Sequence, residues 1–292
     1  MTVVSKKQKR RKKTPSGIRK RSVKSELEPI EENVERSSKK KMQGSTGAAS
    51  AVTKREKADS YTPPTSITTT TIGEMIQGIR EIPEEHQSRF GITPATGYGV
   101  KIWCAGDSSL VRLPSVAIVG SRNVSPEGAA RARRLARELS SAGIVVVSGL
   151  AKGVDTEALT AAMEANGRTI GVIGTPLDRA YPAENKGLQE KIYRDHLLIS
   201  QFESGKKVYP SNFPERNKLM AAISDATVIV EASDESGSLH QAAECTRLGR
   251  WLFIAKSLAE NPDLHWPKSF LHYSTTRVLT HTSEILALLR RD

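Results

Sequence analysis

Cysteine is nearly missing from this sequence. Its two examples, Cys104 and Cys245, are too few and too isolated for a disulfide framework or a zinc site, so both read as small buried hydrophobes in a reducing compartment. Aromatic residues are sparse at 5%, which leaves little material for stacking platforms. Phe213 and Trp251 read first as core, while Tyr181, just beyond a small-residue turn, fits a core or a stacking role equally well. Long apolar runs are absent too: nothing matches a secretory signal or the 18 or more apolar residues of a membrane span. The expectation is a soluble cytoplasmic protein with no membrane partner. Neither G-x-G-x-x-G after the first core strand nor G-x-x-x-x-G-K-[ST] anywhere is present, so no dinucleotide fingerprint, no P-loop and no cofactor is expected. No His/Cys cluster suggests a metal.

Acidic residues are missing from the first 25 positions, which carry "KKQKRRKK" and 11 basic residues before Glu26. The formal net charge of +12 is concentrated there. Residues 1–61 hold 18 Lys/Arg against 7 Asp/Glu, and the rest of the chain holds 26 against 25. The basic character therefore belongs to the N-terminal segment. Residues 1–70, running into the "TPPTSITTTT" tract of residues 62–71, have too little apolar surface to offset ordering entropy and read as a disordered basic tail. Such a tail attracts polyanions in a salt-sensitive way; a solubilising extension or a nuclear-import signal has the same composition. Residues 71–99 read as a short helical lead-in and residues 100–292 as the folded domain.

Within that domain, short β-branched runs alternate with amphipathic stretches. Strands are expected at residues 115–120, 144–149, 169–174, 197–202, 226–232 and 251–255, with helices between them. Continuous apolar strands separated by helices mean a mostly parallel sheet covered on both faces. The fold class is α/β: an extended Rossmann-like, doubly wound sheet whose ligand belongs beyond the carboxyl ends of the strands.

Four of those ends carry small or polar turns: "GSRN" at Gly120, "SGLAKGVD" at Ser148, "GTPLD" at Gly174 and "EASDESGSL" at Glu231. Small residues let backbone N–H groups approach an anion, and each following helix points its positive end there. Arg122, Lys152, Arg216 and Lys218 fall near this crest, a guanidinium-rich set suited to a string of phosphates. Each alone is equally an ordinary solvated surface charge.

The segments "VAIVGSR", "VVSGLAKGVDTEA", "GRTIGVIGTPLDRAYPAEN", "FPERNKLMAAISDATVIVEASDESGSL" and "QAAECTRLGR" together resemble DprA/Smf, the DNA-processing protein A family, over about residues 100–255. "VKIWCAGDSSLVRLPSVAIVG" is similar to that family's lead-in strand. The resemblance implies a nonenzymatic, single-stranded DNA-binding protein of natural transformation and homologous recombination. It also implies a homodimer and delivery of the strand to a RecA-type recombinase. The family's DNA-binding turns correspond here to Gly120, Ser121 and Arg122; to Ser148, Gly149, Lys152 and Gly153; to Arg216, Asn217 and Lys218; and to Ser236, Gly237 and Ser238. Asp155 belongs to the second turn as a loop-structuring residue, because a carboxylate facing phosphate would repel it. Asn217 fits either a helix cap or a base contact.

Departures from the family pattern are Ala158-Leu159 for its A-H pair, Pro176 within "GTPLD", and "KSLAENPDLHWPKSF" in place of a glycine-rich stretch. No room for a C-terminal winged helix is expected after "SEILALLRRD", and the helical N-terminal domain is reduced to residues 72–82. Related Rossmann proteins hydrolyse nucleoside monophosphates through an acid at the end of the last turn. Gln241 stands at that place, with Glu244 one helical turn on as the nearest acid. His240 has no partner pattern for catalysis. A mononucleotide sensor remains the alternative binding reading.

Overall fold

The computed structural model describes residues 60–289. The strands are β1 (Thr68–Thr71), β2 (Lys101–Gly106), β3 (Ser115–Gly120), β4 (Val145–Ser148), β5 (Thr169–Ile173), β6 (Leu197–Ser200), β7 (Ala226–Glu231), β8 (Trp251–Ala255) and β9 (Thr276–Leu279). The helices are α1 (Ile72–Ile76), α2 (Glu84–Gln87), α3 (Pro126–Ser141), α4 (Val154–Glu164), α5 (Lys186–Asp195), α6 (Asn212–Ile223), α7 (Ser238–Arg247), α8 (Lys256–Ala259), α9 (Trp266–Leu271) and α10 (Thr282–Leu289).

All nine strands share one sheet in the order β1-β2-β6-β5-β4-β3-β7-β8-β9. From β6 through β9 every neighbouring pair is parallel, and only β1 with β2 and β2 with β6 run antiparallel. The chain winds outward from β3 through β4 and β5 to β6, then returns to the other side of β3 with β7. This is the reversal that defines a doubly wound sheet, and the Rossmann-like expectation is met.

The periodic apolar runs explain the layers. Every residue of β4, β5 and β6 is buried, as a parallel strand covered on both faces requires. One core gathers Val116, Ile118, Val146 and Phe253 under Leu135, Leu139, Ala158 and Ile285 of α3, α4 and α10. The opposite face packs Val147, Ile170 and Ile229 against Leu219, Ile223, Leu239 and Ala242 of α6 and α7. Cys104 and Cys245 are free and buried, and burial pushes both thiols up to about 12.

The N-terminal boundary requires a correction. The tract Thr62–Thr71 was expected to lie in the disordered tail, yet Thr68–Thr71 forms β1 and pairs in register with Lys101–Cys104 of β2. Four β-branched threonines suit a pleated edge position, and Thr71 then caps α1 in a reciprocal capping box with Glu74. Of the rest of that expected tail, residues 1–59 lie outside the described residues. Ile72, Ile76, Ile82 and Phe90 of the lead-in join the sheet core.

Arg80 fastens this lead-in from below. Its guanidinium is buried and donates to Val111 O (2.7 Å), Leu113 O (3.0 Å), Ser115 Oγ (3.0 Å) and both carboxylate oxygens of Asp225 (3.0 and 2.6 Å). Ser115 opens β3 and Asp225 precedes β7. The clamp therefore sits at the N-terminal ends of the strands, opposite the crest.

Candidate functional site

At the crest, the turns after β3, β4 and β5 meet the start of α6 around one small depression. Arg122, Gly149, Lys152, Gly174, Tyr181, Phe213 and Arg216 are among the residues that line it, and its volume is about 90 Å³. The Arg122 guanidinium lies over the Phe213 ring at 5.9 Å. That ring meets Tyr181 with centroids 5.3 Å apart. Tyr181 is 52% exposed, so Tyr181 and Phe213 form an aromatic wall beside two exposed cations, Arg122 and Lys152. Neither aromatic stood among the sequence-derived site residues. The signals in the sequence were Tyr181's place after the third crest turn and Phe213's place at the head of the "FPERNK" segment.

The glycines of these turns are fixed by close packing. A Cβ on Gly149 would lie 1.5 Å from Nη1 of Arg216, and one on Gly174 would lie 2.7 Å from the Phe213 ring. Gly149 therefore lets Arg216 pass beneath the β4 turn, while Gly174 admits the aromatic wall.

Arg216, expected as a phosphate contact, lines the depression but is buried, and it donates from Nη1 to Val172 O at 2.9 Å. It forms the floor of the depression. Asp155, on the first turn of α4, accepts from the backbone N–H groups of Gly149 (3.1 Å) and Ala151 (3.3 Å), holding the β4 turn. Burial pushes the Asp155 carboxyl up, and the Arg216 charge and those hydrogen bonds work against the rise. Burial likewise lowers Arg216, which Asp155 opposes and Arg122 reinforces.

The remaining sequence-derived residues take other positions. Ser148 is buried and donates to Ile118 O at 2.7 Å. Ser121 N–H is committed to Glu231 O at 2.7 Å, and its carbonyl accepts from Val154 N. Gly120 is closed in by Glu231 O and Val154, and Gly153 adopts φ +75° against the carbonyls of Ser121 and Arg122. These residues shape the turns. The helix N-terminus between β3 and β7 was expected to be open to an anion, but it is already served from within. Ser125 accepts from Gly128 N, while the Glu231 carboxylate accepts from Ser125 N–H (2.9 Å) and the Ser125 hydroxyl.

Lys218 does not line the depression, and its ammonium pairs with Glu215 at 2.7 Å. Asn217 neither caps its helix nor reaches the depression. It lies within α6 and donates to Gly237 O at 3.3 Å, joining α6 to the Ser236–Ser238 turn, where the two serine hydroxyls share a 2.8 Å hydrogen bond. Lys152 does line the depression, with its ammonium 2.6 Å from Glu184. Both partners are exposed, and the Lys152 hydrogen bond holds the Glu184 carboxyl below its usual range.

The residues weighed for hydrolysis do not form a catalytic pair. Gln241 is fully buried, its amide nitrogen donating to Asn217 O (2.7 Å) and its oxygen accepting from Ala221 N–H and the Thr227 hydroxyl. Glu244 is buried between Arg89 and Arg247, accepting from both.

Fold and site together define a class: a doubly wound Rossmann-like protein whose crest joins cations to an aromatic wall, without the nucleotide fingerprints of the dehydrogenases or P-loop proteins. The profile described as DNA recombination-mediator protein A matches residues 81–290, and the chain belongs to this family, DprA/Smf. Over 154 residues it is 40% identical to the DNA processing protein DprA of Streptococcus pneumoniae, covering 53% of this chain and 54% of that one. It is 33% identical over 188 residues to the DprA of Bacillus subtilis, covering 64% and 63%. The chain spans about half the length of the curated relatives it matches. Two solved structures superpose with a TM-score of 0.60. The S. pneumoniae DprA is 34% identical, with 66% of this chain and 67% of that chain covered. A Helicobacter pylori DNA processing protein A is 27% identical, with 76% and 95% covered, and its structure describes a single-stranded DNA binding mode.

Proposed function

We propose that this chain binds single-stranded DNA across its crest, with Arg122 and Lys152 on the phosphates and Tyr181 and Phe213 against a base. The observation that carries this reading is the Arg122–Phe213–Tyr181 group: a guanidinium 5.9 Å above one ring and a second, half-exposed ring 5.3 Å away. A strand with phosphates and unstacked bases presents both features that such a group engages. The size of the depression favours a polymer over a mononucleotide. About 90 Å³ falls well below the ~300–1,000 Å³ of pockets that enclose a small ligand, so a nucleotide would lie across it rather than inside it.

Family membership and the binding mode described for the H. pylori relative support the same reading. It extends to a nonenzymatic, cytoplasmic role in DNA processing and homologous recombination, as a homodimer that delivers the strand to a RecA-type recombinase. The other crest residues, Gly120, Ser121, Ser148, Gly149, Gly153, Arg216, Asn217, Lys218 and Ser236–Ser238, act in this reading through the shape and field of the turns.

Salt titration of a labelled thymidine 20-mer against the full chain and Arg122→Ala tests it. Loss of one phosphate contact is expected to reduce the slope of log K against log salt by about 0.7. An unchanged slope and affinity would remove the crest as the DNA site.

A further inference from the structure

Lys152 does not stand free at the rim of the depression. Its ammonium lies 2.6 Å from the carboxylate of Glu184, which belongs to the short turn Ala183–Asn185 leading from the β5 loop into α5. The hydrogen bond from Lys152 is the largest cause holding the Glu184 carboxyl below its usual range. One of the two exposed cations assigned to phosphates is therefore already matched by an anion of the protein itself.

This pair is not needed to join the two loops that carry it. Beside it Asn185 is buried, and its amide nitrogen donates to Leu150 O (2.8 Å), Ala151 O (3.4 Å) and the Thr156 hydroxyl (2.8 Å). Those bonds fix the backbone before Lys152 against the backbone after Glu184 from within. The ion pair above them is a different kind of contact. Its side chains are 56% and 64% exposed, and exposed pairs contribute little to stability. It places charge without holding the fold.

A carboxylate on Lys152 has a definite effect on an anionic ligand. An ammonium has three donors, so geometry leaves room for a phosphate oxygen beside Glu184. Charge does not: the pair is neutral as a whole, and an approaching phosphate meets the Glu184 carboxylate at nearly the same range as the ammonium. A strand gains the charge of Lys152 only when Glu184 turns away, which its exposure permits.

We propose that Glu184 sets the affinity of the crest, as an internal anion that occupies Lys152 in the absence of DNA and is displaced by a backbone phosphate. The inference rests on the single-stranded DNA reading above. Displacement weakens the binding of any ligand that engages Lys152, so Glu184 acts on phosphate affinity and not on the reading of bases.

A double-mutant cycle on the full chain, with affinities for the thymidine 20-mer measured at 50 mM salt, tests the displacement. Glu184→Gln keeps the side-chain size and removes the charge. It is expected to tighten binding about 1.5- to 5-fold, the range set by exposed pairs, while Lys152→Gln weakens it. In the Lys152→Gln background the gain from Glu184→Gln should largely disappear, because no ammonium remains to be released. Equal or weaker binding by Glu184→Gln, with Arg122→Ala still weakening it, overturns the inference and leaves the crest reading intact. A gain that persists undiminished in Lys152→Gln shows plain repulsion of the strand and overturns the displacement as well. Affinities indifferent to both Arg122→Ala and Lys152→Gln overturn the crest reading instead.

Discussion

The floor and the wall of the depression fail in different ways when single residues change. Arg216 and Asp155 are both buried beneath the β4 turn. In Arg216→Met the Asp155 carboxylate loses its compensating charge, which in a buried site costs about 3–5 kcal/mol. The pH dependence has a definite sign. An acid whose folded-state pKa is raised binds protons more tightly in the native state, so stability falls as pH rises from the unfolded value through the folded one. Removing Arg216 raises Asp155 further. Denaturant titrations should therefore show a deficit for Arg216→Met that grows with rising pH above about 4. Arg216→Met with Asp155→Asn should recover part of it, and a pH-independent deficit would show that Asp155 is not the responsible group. Tyr181→Ala acts on the wall. Base stacking contributes about 1–3 kcal/mol per base, so it should weaken poly-dT binding roughly 5- to 150-fold with stability little changed. Arg122 and Lys152 were legible from sequence because each follows a strand end. The inward path of Arg216 was not, since Gly149 makes room for it across a gap of sequence that periodicity does not encode.

Among the elements, β3 through β8 and α3 through α7 could be placed from alternation and helix signals alone, because each carries its own apolar pattern. β1 and β9 could not. Thr68–Thr71 has no apolar pattern and owes its conformation to pairing with β2, and β9 likewise lies at the sheet edge beside β8. In both cases tertiary pairing supplies what local sequence lacks. The lead-in shows the same dependence. Its attachment relies on Arg80, a polar residue whose buried position no hydrophobic pattern marks. Arg80→Met would take the guanidinium from Asp225, which keeps the Ser115 N–H at 2.8 Å, and leave Val111 O and Leu113 O without their donor. The expected loss is about 3–5 kcal/mol, a fall in Tm of roughly 6–20 °C for a domain of this size. Calorimetry checks it, and a shift below about 2 °C would mean that the clamp is dispensable.

Across the whole molecule, charge is separated from shape. The excess positive charge lies before residue 61, and the folded part is nearly neutral. On the β7 side of the crest, Asp234 and Glu235 flank the Ser236–Ser238 turn, whereas the cations and the aromatic wall gather at β3 to β5. The two contributions to binding should then separate under salt. Phosphate contacts weaken steeply as counterion release loses its advantage, whereas stacking carries no counterion term. At 1 M salt the Debye length is only ~3 Å, so the phosphate contacts of Arg122 and Lys152 should contribute little. In affinities for a thymidine 20-mer measured from 50 mM to 1 M salt, the lines for the native chain and Tyr181→Ala should run parallel, separated by the stacking contribution at every salt. The line for Arg122→Ala should instead converge on the native one at high salt. Convergence of the Tyr181→Ala line would show that the aromatic wall acts by positioning cations rather than by stacking, and the base-side half of the crest assignment would then have to move elsewhere on the sheet.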